Sequence, residues 1–310
     1  MSPRRLLLCR PAGGLNDMLC QIERACRYAD RFGRTVIVET DHQGAIEFRD
    51  RFADYFVSRQ RRLVLSAERV RHRFDAMEVF PSFLRGRVTS YRPRNTGREG
   101  RTVDEATGLR VSFDFERDYD QPLLVHHDFG GGRHSLDALR RLRIGDAVAA
   151  ELRRRRGSIG GSYAALHIRN TDYRARYRDR LDELAQRLSG PIFVATDNRA
   201  SLDDCRQAFG AARVISFANL SHPAGQPLHH LGPEADARER NLDAVVDLLM
   251  LALADSVHGF ELEPNPVGAK VSGFTSLAID LHEAPAVLRR LAPQAFARPP
   301  LERWRQARRG

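Results

Sequence analysis

The sequence predicts an α/β protein made of two parallel-sheet units with a cleft between them. Three observations carry this. Short apolar runs that read as buried strands alternate with longer runs of helical periodicity, and such alternation joins its strands in parallel with helices on the sheet faces. The alternation breaks once, at "RRRRGSIGG" (153–161), and then resumes. The length, 310 residues, suits two ordinary α/β domains or one large one. The boundaries that follow are 1–150 for a first Rossmann-like unit, 151–285 for a second, and 286–310 for a basic tail or helix. No internal repeat occurs at solenoid spacing.

Taken in order, Arg5–Cys9 reads as the first strand. Met18, Leu19, Ile22, Cys26, Ala29 and Phe32 then recur at helical steps until Gly33 stops the run. Thr35–Glu39 reads as a second strand, Ala45–Phe56 as a helix and Leu63–Leu65 as a short third strand. Tyr91 to Asp120, rich in Arg, Gly and Asp, predicts long loops. Pro122–Asp128 returns as a strand, followed by the loop "FGGGRH". Ser135 suits the cap of a helix running to about Arg156. Beyond the break come the strand "YAALHIR", a helix over Arg178–Leu188, the strand "PIFVAT", a helix over Ser201–Phe209 and the strand "RVISF". A Pro/Gly/His-rich loop, Asn219–Asp236, leads to an apolar helix over Asn241–Ala254. "SGFTSLAIDL" opens another helix, and the segment from Ala284 predicts one more that crosses back to the first unit.

Composition narrows the class. Hydrophobic residues make up 42% and charged ones 29%, enough for a core and too mixed in sign for disorder. No run approaches the ~18 apolar residues of a membrane span. The N-terminal apolar run meets Pro11 and Gly13 too soon for a secretory signal, so the expected location is cytoplasmic. Cys9, Cys20, Cys26 and Cys205 form no CxxC pair and read as reduced structural thiols. The net charge is +10, nearly all of it arginine, with Lys270 the only lysine. Such a surface attracts phosphates, nucleic acid or anionic headgroups without choosing among them.

In open parallel sheets, ligands bind beyond the C-terminal strand ends. That rule selects Arg10–Asn16, His126–Arg133, His167–Asp172 and Thr196–Asn198. In "AGGLND", Gly13 and Gly14 permit close approach to a helix N-terminus, where anionic oxygens sit well. The same stretch suits a plain strand-to-helix turn capped by Asn16 or Asp17. His167 and Arg169 share one face of a strand end. The arginine fork suits a phosphate or pyrophosphate, or a structural pair with Asp172. Thr196 and Asp197 end the next strand, where Asp197 also suits a helix cap. Asp247 falls within an apolar helix, where a carboxylate needs partners. Ser272, Gly273, Thr275 and Ser276 form a turn into a helix, a second candidate phosphate cradle or a plain Ser cap. His126, His127, Asp128 and His134 match no common zinc spacing, and no metal site is expected.

Together these segments resemble the fucosyltransferase superfamily of α-1,2-, α-1,6- and protein O-fucosyltransferases. "GGLNDMLCQ" is similar to its GGLGNQMFQ-type loop and "HIRNTDY" to its HxR motif. "FVATDN" is similar to its ATDD segment, and "DLLMLALADSVHG" with "VSGFTSLA" to its D-[ILV]-x-x-L-x-x-x-D and SSxFSxLA segments. The resemblance spans Gly13 to about Ala278. It implies a GT-B fold and an inverting, metal-independent transfer of fucose from GDP-fucose to a glycan or lipid-linked acceptor. By the same resemblance, Arg169 would bind the β-phosphate and His167 would shape that pocket. Asp247 would read guanine, and Ser272, Gly273 and Thr275 would hold phosphate or ribose. Gly13, Gly14 and Asn16 would approach from the other domain, with Thr196 and Asp197 on the donor side. Asp17 is the chosen general base ahead of Glu39 and Asp41. The sequence departs from the pattern at Asn16-Asp17-Met18, at Asn170 in place of a second arginine, and in the insertion "ELEPNP". These departures fall on the sugar and acceptor side. The basic tail "LERWRQARRG" suits contact with an anionic membrane or a solvated helix. The competing class is a non-catalytic basic protein binding nucleic acid or nucleotides, although RNP, KH, helix-turn-helix and zinc-finger signatures are missing.

Overall fold

The computed structural model describes residues 5–42, 45, 48–96, 101–220, 237–265 and 268–296. The first unit opens with β1 (Leu6–Pro11), α1 (Leu15–Phe32) and β2 (Thr35–Val38). Next come β3 (Phe56–Ser58), β4 (Leu63–Val64), β5 (Val79–Phe80), β6 (Pro93–Asn95), β7 (Thr102–Asp104) and β8 (Leu123–Asp128). Next are α2 (Ser135–Arg140), β9 (Leu142–Ile144) and α3 (Asp146–Ile159). The second unit contains β10 (Ala164–Ile168), α4 (Arg178–Arg187), β11 (Ile192–Thr196), α5 (Arg199–Phe209) and β12 (Val214–Ile215). It continues with α6 (Ala237–Ala252), β13 (Ser256–Gly259), α7 (Gly273–His282) and α8 (Pro285–Leu291).

Two parallel sheets result, in the orders β4-β2-β1-β8-β5 and β12-β11-β10-β13. Each winds outward from a central strand and then reverses. The reversals lie between β1 and β8 and between β10 and β13. At such reversals the connections leave in opposite directions and open a crevice at the strand ends. The register sets what faces each crevice: Pro11 lies beside Asp128, and His167 lies between Ala195 and Gly259.

Both sheets are covered on both faces, which is why their strands read as continuous apolar runs. Leu8, Ile37, Leu123 and Val125 pack with Phe74, Leu84 and Tyr91 on one face of the first sheet. Leu166, Ile168 and Val194 pack with Leu181, Leu202 and Phe209 on one face of the second. The remaining faces merge into a single core that runs from Leu7 and Leu124 through Ile22 to Phe193, Leu249 and Leu281. Within it α1 packs on α7, and α8 returns to lie against α2 and β9 of the first unit, the crossing that the sequence predicts.

Several expected elements differ. The helix expected from Ser135 to Arg156 is two helices, α2 and α3, separated by β9, which pairs antiparallel with β3. Gly145 sits between β9 and α3 and donates its backbone N–H to the Tyr55 carbonyl, so the interruption is fixed by tertiary contact. Within Ala45–Phe56 the described residues form no α-helix; they contain a short 3-10 turn over Phe52–Asp54, and β3 begins at Phe56. The loop expected over Tyr91–Asp120 contains the β6–β7 hairpin. Most of the Asn219–Asp236 loop and the tail "LERWRQARRG" lie outside the described residues.

Candidate functional site

The second switch point gathers four of the residues singled out by sequence. His167 is the penultimate residue of β10 and is buried. Its Nδ1 lies 2.6 Å from Thr275 Oγ1 in the first turn of α7. Ser272 caps α7, its Oγ accepting from the Thr275 N–H at 3.1 Å and lying 2.8 Å from Thr275 Oγ1. In one of the two polarities that satisfy the group, Ser272 O–H donates to Thr275 Oγ1, whose O–H donates to His167 Nδ1. The ring then keeps its proton on Nε2. Burial, and then the charge of Arg169, depress the His167 pKa to about 3, so the ring is neutral. Phe274 packs against it with ring centroids 4.9 Å apart. The place of Thr275 beside His167 requires Gly259 on the neighbouring strand, because a Cβ there would overlap the Thr275 methyl.

Arg169 follows on the same strand face. Its Nε and Nη2 donate to the two oxygens of Asp172 at 2.7 and 2.9 Å, and Nη1 lies 3.2 Å from Asp197. Burial opposes its charge, but these two carboxylates outweigh that and hold its pKa above the ordinary value. Asp197 also accepts from the Asn170 N–H and the Thr171 hydroxyl. It therefore clamps the loop rather than capping α5, whose cap is Asn198. Thr196 Oγ1 accepts from the Asn198 N–H. Asn170 turns its amide to Ser201 at 2.9 Å, so the position of the expected second arginine ties the loop to α5.

The first switch point meets the second through Asn16. Its Nδ2 occupies space beside Gly273, where an added Cβ would come within 2.7 Å. Neither Asn16 nor Asp17 caps α1; Gly14 does, without a side-chain cap bond. Gly13 has φ +98 and packs on Asp17. Asp17 stands in the first turn of α1, its Oδ1 3.4 Å from Asn16 Nδ2. Burial raises its pKa above the ordinary carboxylate value, and the Asn16 hydrogen bond partly offsets this. Its charge is felt by Tyr173, which also senses Asp172 and Arg169. The two other candidate bases are neutralised by arginines. Glu39 is buried between Arg10 and Arg71, and Asp41 pairs with Arg71 at 2.8 Å.

Asp247 is not joined to this group by any hydrogen bond or ion pair among the described residues. It accepts from Arg155 of α3 at 2.8 Å, and Arg155 also holds Asp243 and Glu151. Burial pushes Asp247 up to about 7, with Arg155 opposing and Asp243 adding to the rise. Sequence reasoning missed Arg155 because its partners lie 88 and 92 residues away. It also missed Gly259, whose only sequence signal is a glycine ending a strand. His126, His127 and Asp128 are engaged by Ser112, Tyr91 and Arg110. Among the described residues no group of three or more His, Cys, Asp or Glu is placed to hold a metal.

No family model matches the chain, and no curated protein does. Solved structures do. The fucosyltransferase NodZ from Bradyrhizobium is 19% identical, with a TM-score of 0.58 over 90% of this chain and 93% of that one. NodZ α-1,6-fucosyltransferase soaked with GDP-fucose is 21% identical, with a TM-score of 0.57 over 89% and 91%. POFUT1 in complex with GDP is 12% identical, with a TM-score of 0.52 over 91% and 96%. The chain has the GT-B fold of these fucosyltransferases. The two switch points touch where Asn16 lies against Gly273.

Proposed function

We propose that the protein is an inverting, metal-independent glycosyltransferase that moves fucose from GDP-fucose to a glycan or lipid-linked acceptor. The observation that carries this reading is Arg169, held in plane by Asp172 and Asp197 at the C-terminal end of β10. Beside it, His167 is tied to the N-terminus of α7. Glycosyl transfer develops negative charge on the departing diphosphate. A fixed guanidinium, a neutral imidazole N–H and a helix N-terminus stabilise that charge without reorganising. Asp17, raised by burial and paired with no arginine among the described residues, in contrast to Glu39 and Asp41, takes the proton of the attacking hydroxyl. Inversion follows from attack on the anomeric carbon from the side opposite GDP.

Within this reading, residues 151–285 form the donor unit and 1–150 the acceptor side, with α3 spanning the divide and packing on α6. Gly13, Gly14 and Asn16 close over the donor, and Ser272, Gly273 and Thr275 hold its phosphate or ribose. Asp247 remains the proposed guanine reader. That role requires it to share its carboxylate with Arg155. The fucosyltransferase neighbours with GDP and GDP-fucose in their structures support the donor class. No helix of the described residues is long and apolar enough to cross a membrane. A cytoplasmic enzyme that touches the inner membrane through its basic tail is part of the proposal.

Thermal shift with a panel of nucleotides and nucleotide sugars tests this, because a ligand that binds only the folded state raises the melting temperature with concentration. GDP and GDP-fucose are expected to stabilise the wild type. Arg169→Ala should lose the shift, since a charge-assisted contact is worth about 1.5–3 kcal/mol, or roughly 10- to 150-fold in affinity. A shift with UDP or RNA and none with GDP would sink the reading.

A further inference from the structure

Gln21 and His126 take no part in the reaction as drawn, yet both are buried beside the first switch point. Their hydrogen bonds have a definite direction. Gln21 Nε2 donates to the Gly130 carbonyl. Its Oε1, 2.9 Å from His126 Nε2, therefore accepts. The reverse amide orientation would set carbonyl against carbonyl. His126 thus carries its proton on Nε2, and its Nδ1 accepts from Ser112 Oγ at 2.8 Å. Burial, followed by the charges of Arg24 and Arg110, depresses this ring to about 3 and keeps it neutral. The result is a directed chain from Ser112 through His126 and Gln21 to Gly130. Each of these bonds is made inside the protein, where a lost partner costs about 1–3 kcal/mol.

The chain ends on the loop that follows β8. That loop lies against α1 so closely that a Cβ on Gly131 would overlap Asp17 Oδ1 and come within 3.0 Å of Asn16 Nδ2. Where the loop stands decides where the Asn16–Asp17 pair stands. We propose that Gln21, backed by His126, is a positioning residue that holds the Gly130–Gly132 loop against Asp17 and thereby fixes the place and solvation of its carboxylate. The proposal rests on the reading of Asp17 as the base only for its catalytic meaning; the positioning itself is measurable without turnover. Among the described residues, Cys20 on its own helix and Tyr173 on the segment after β10 feel the charge of Asp17.

The test is carboxyl carbon NMR on aspartate-labelled protein, with the Asp17 resonance assigned by its loss in Asp17→Asn. In Gln21→Met the loop loses its tether and water reaches Asp17. Its titration midpoint should fall measurably toward the ordinary value, because desolvation is what raises it. His126→Gln can still donate to Gln21 and accept from Ser112, so it should keep the wild-type midpoint. Ser112→Ala, a milder change outside α1, should shift the midpoint in the same direction as Gln21→Met. Stabilisation by GDP should persist in all three. An unchanged midpoint in Gln21→Met overturns the proposal, as does a shift accompanied by loss of GDP stabilisation. The base reading fails separately if Asp17→Asn hydrolyses GDP-fucose at the wild-type rate.

Discussion

Arg169 and His167 sit two residues apart on one strand face, and the protein treats them oppositely. The arginine is kept charged by two carboxylates, whereas the histidine is kept neutral by burial beside that arginine. A neutral ring leaves Arg169 as the one cation of this pair. His126 is held neutral in the same way, and His127 is pushed down by burial and its cationic neighbours. All three histidines have folded-state pKa values below the ordinary 6.5. The unfolded chain therefore binds more protons as the pH falls. The stability that depends on keeping these rings neutral is fully present above about 6.5 and is lost progressively below it. Urea midpoints should therefore decline steadily from pH 6.5 to 4.5, and His167→Gln should lessen the slope. A flat profile would contradict buried neutral rings.

Helices α3 and α6 are joined by a buried charge cluster rather than by apolar contact alone. Arg155 reaches Glu151 on its own helix and Asp243 and Asp247 on α6. Removing it strands two largely buried carboxylates. Arg155→Met should cost about 3–5 kcal/mol at pH 8, the usual penalty for breaking a buried pair from one side. Asp247 is raised when folded, so it holds a proton that the unfolded chain has already released. Its contribution to stability falls as the pH rises from about 4 toward 7. Accordingly Arg155→Met should be milder at pH 5.5 than at pH 8 in chemical denaturation. Equal losses at both would mean that Asp247 stays ionised throughout.

At the scale of the whole molecule, the two sheets share one core while their switch points meet at Asn16 and Gly273. That contact sets how the two units are aligned with one another. Gly273→Val should displace Asn16 by a fraction of an ångström or more. Misplacement on that scale can cost on the order of 100-fold in rate with little loss of binding. Because Gly273 also lies at the proposed donor site, GDP binding should weaken, but GDP-fucose turnover should fall at least about tenfold further than GDP affinity does. Loss of GDP binding in step with turnover would instead make Gly273 a donor contact alone.

The sequence by itself determined the parallel strands, most of the helices and the strand ends where ligands gather. Those features follow from local periodicity and from the short-range chemistry of Gly, Ser and Pro. It also singled out Arg169, His167 and Thr275, because each lies at a legible strand end or helix start. Only the tertiary structure decided that β9 splits the expected Ser135–Arg156 helix, since that strand exists through pairing with β3. Tertiary contact likewise decided that Asn170 faces Ser201, that Glu39 and Asp41 are consumed by arginines, and that Asp247 belongs to Arg155. The physical reason is the same in each case. A side chain's partner is chosen by which elements the fold brings within hydrogen-bonding distance, and residues 30 to 90 positions apart carry no local pattern that records the meeting.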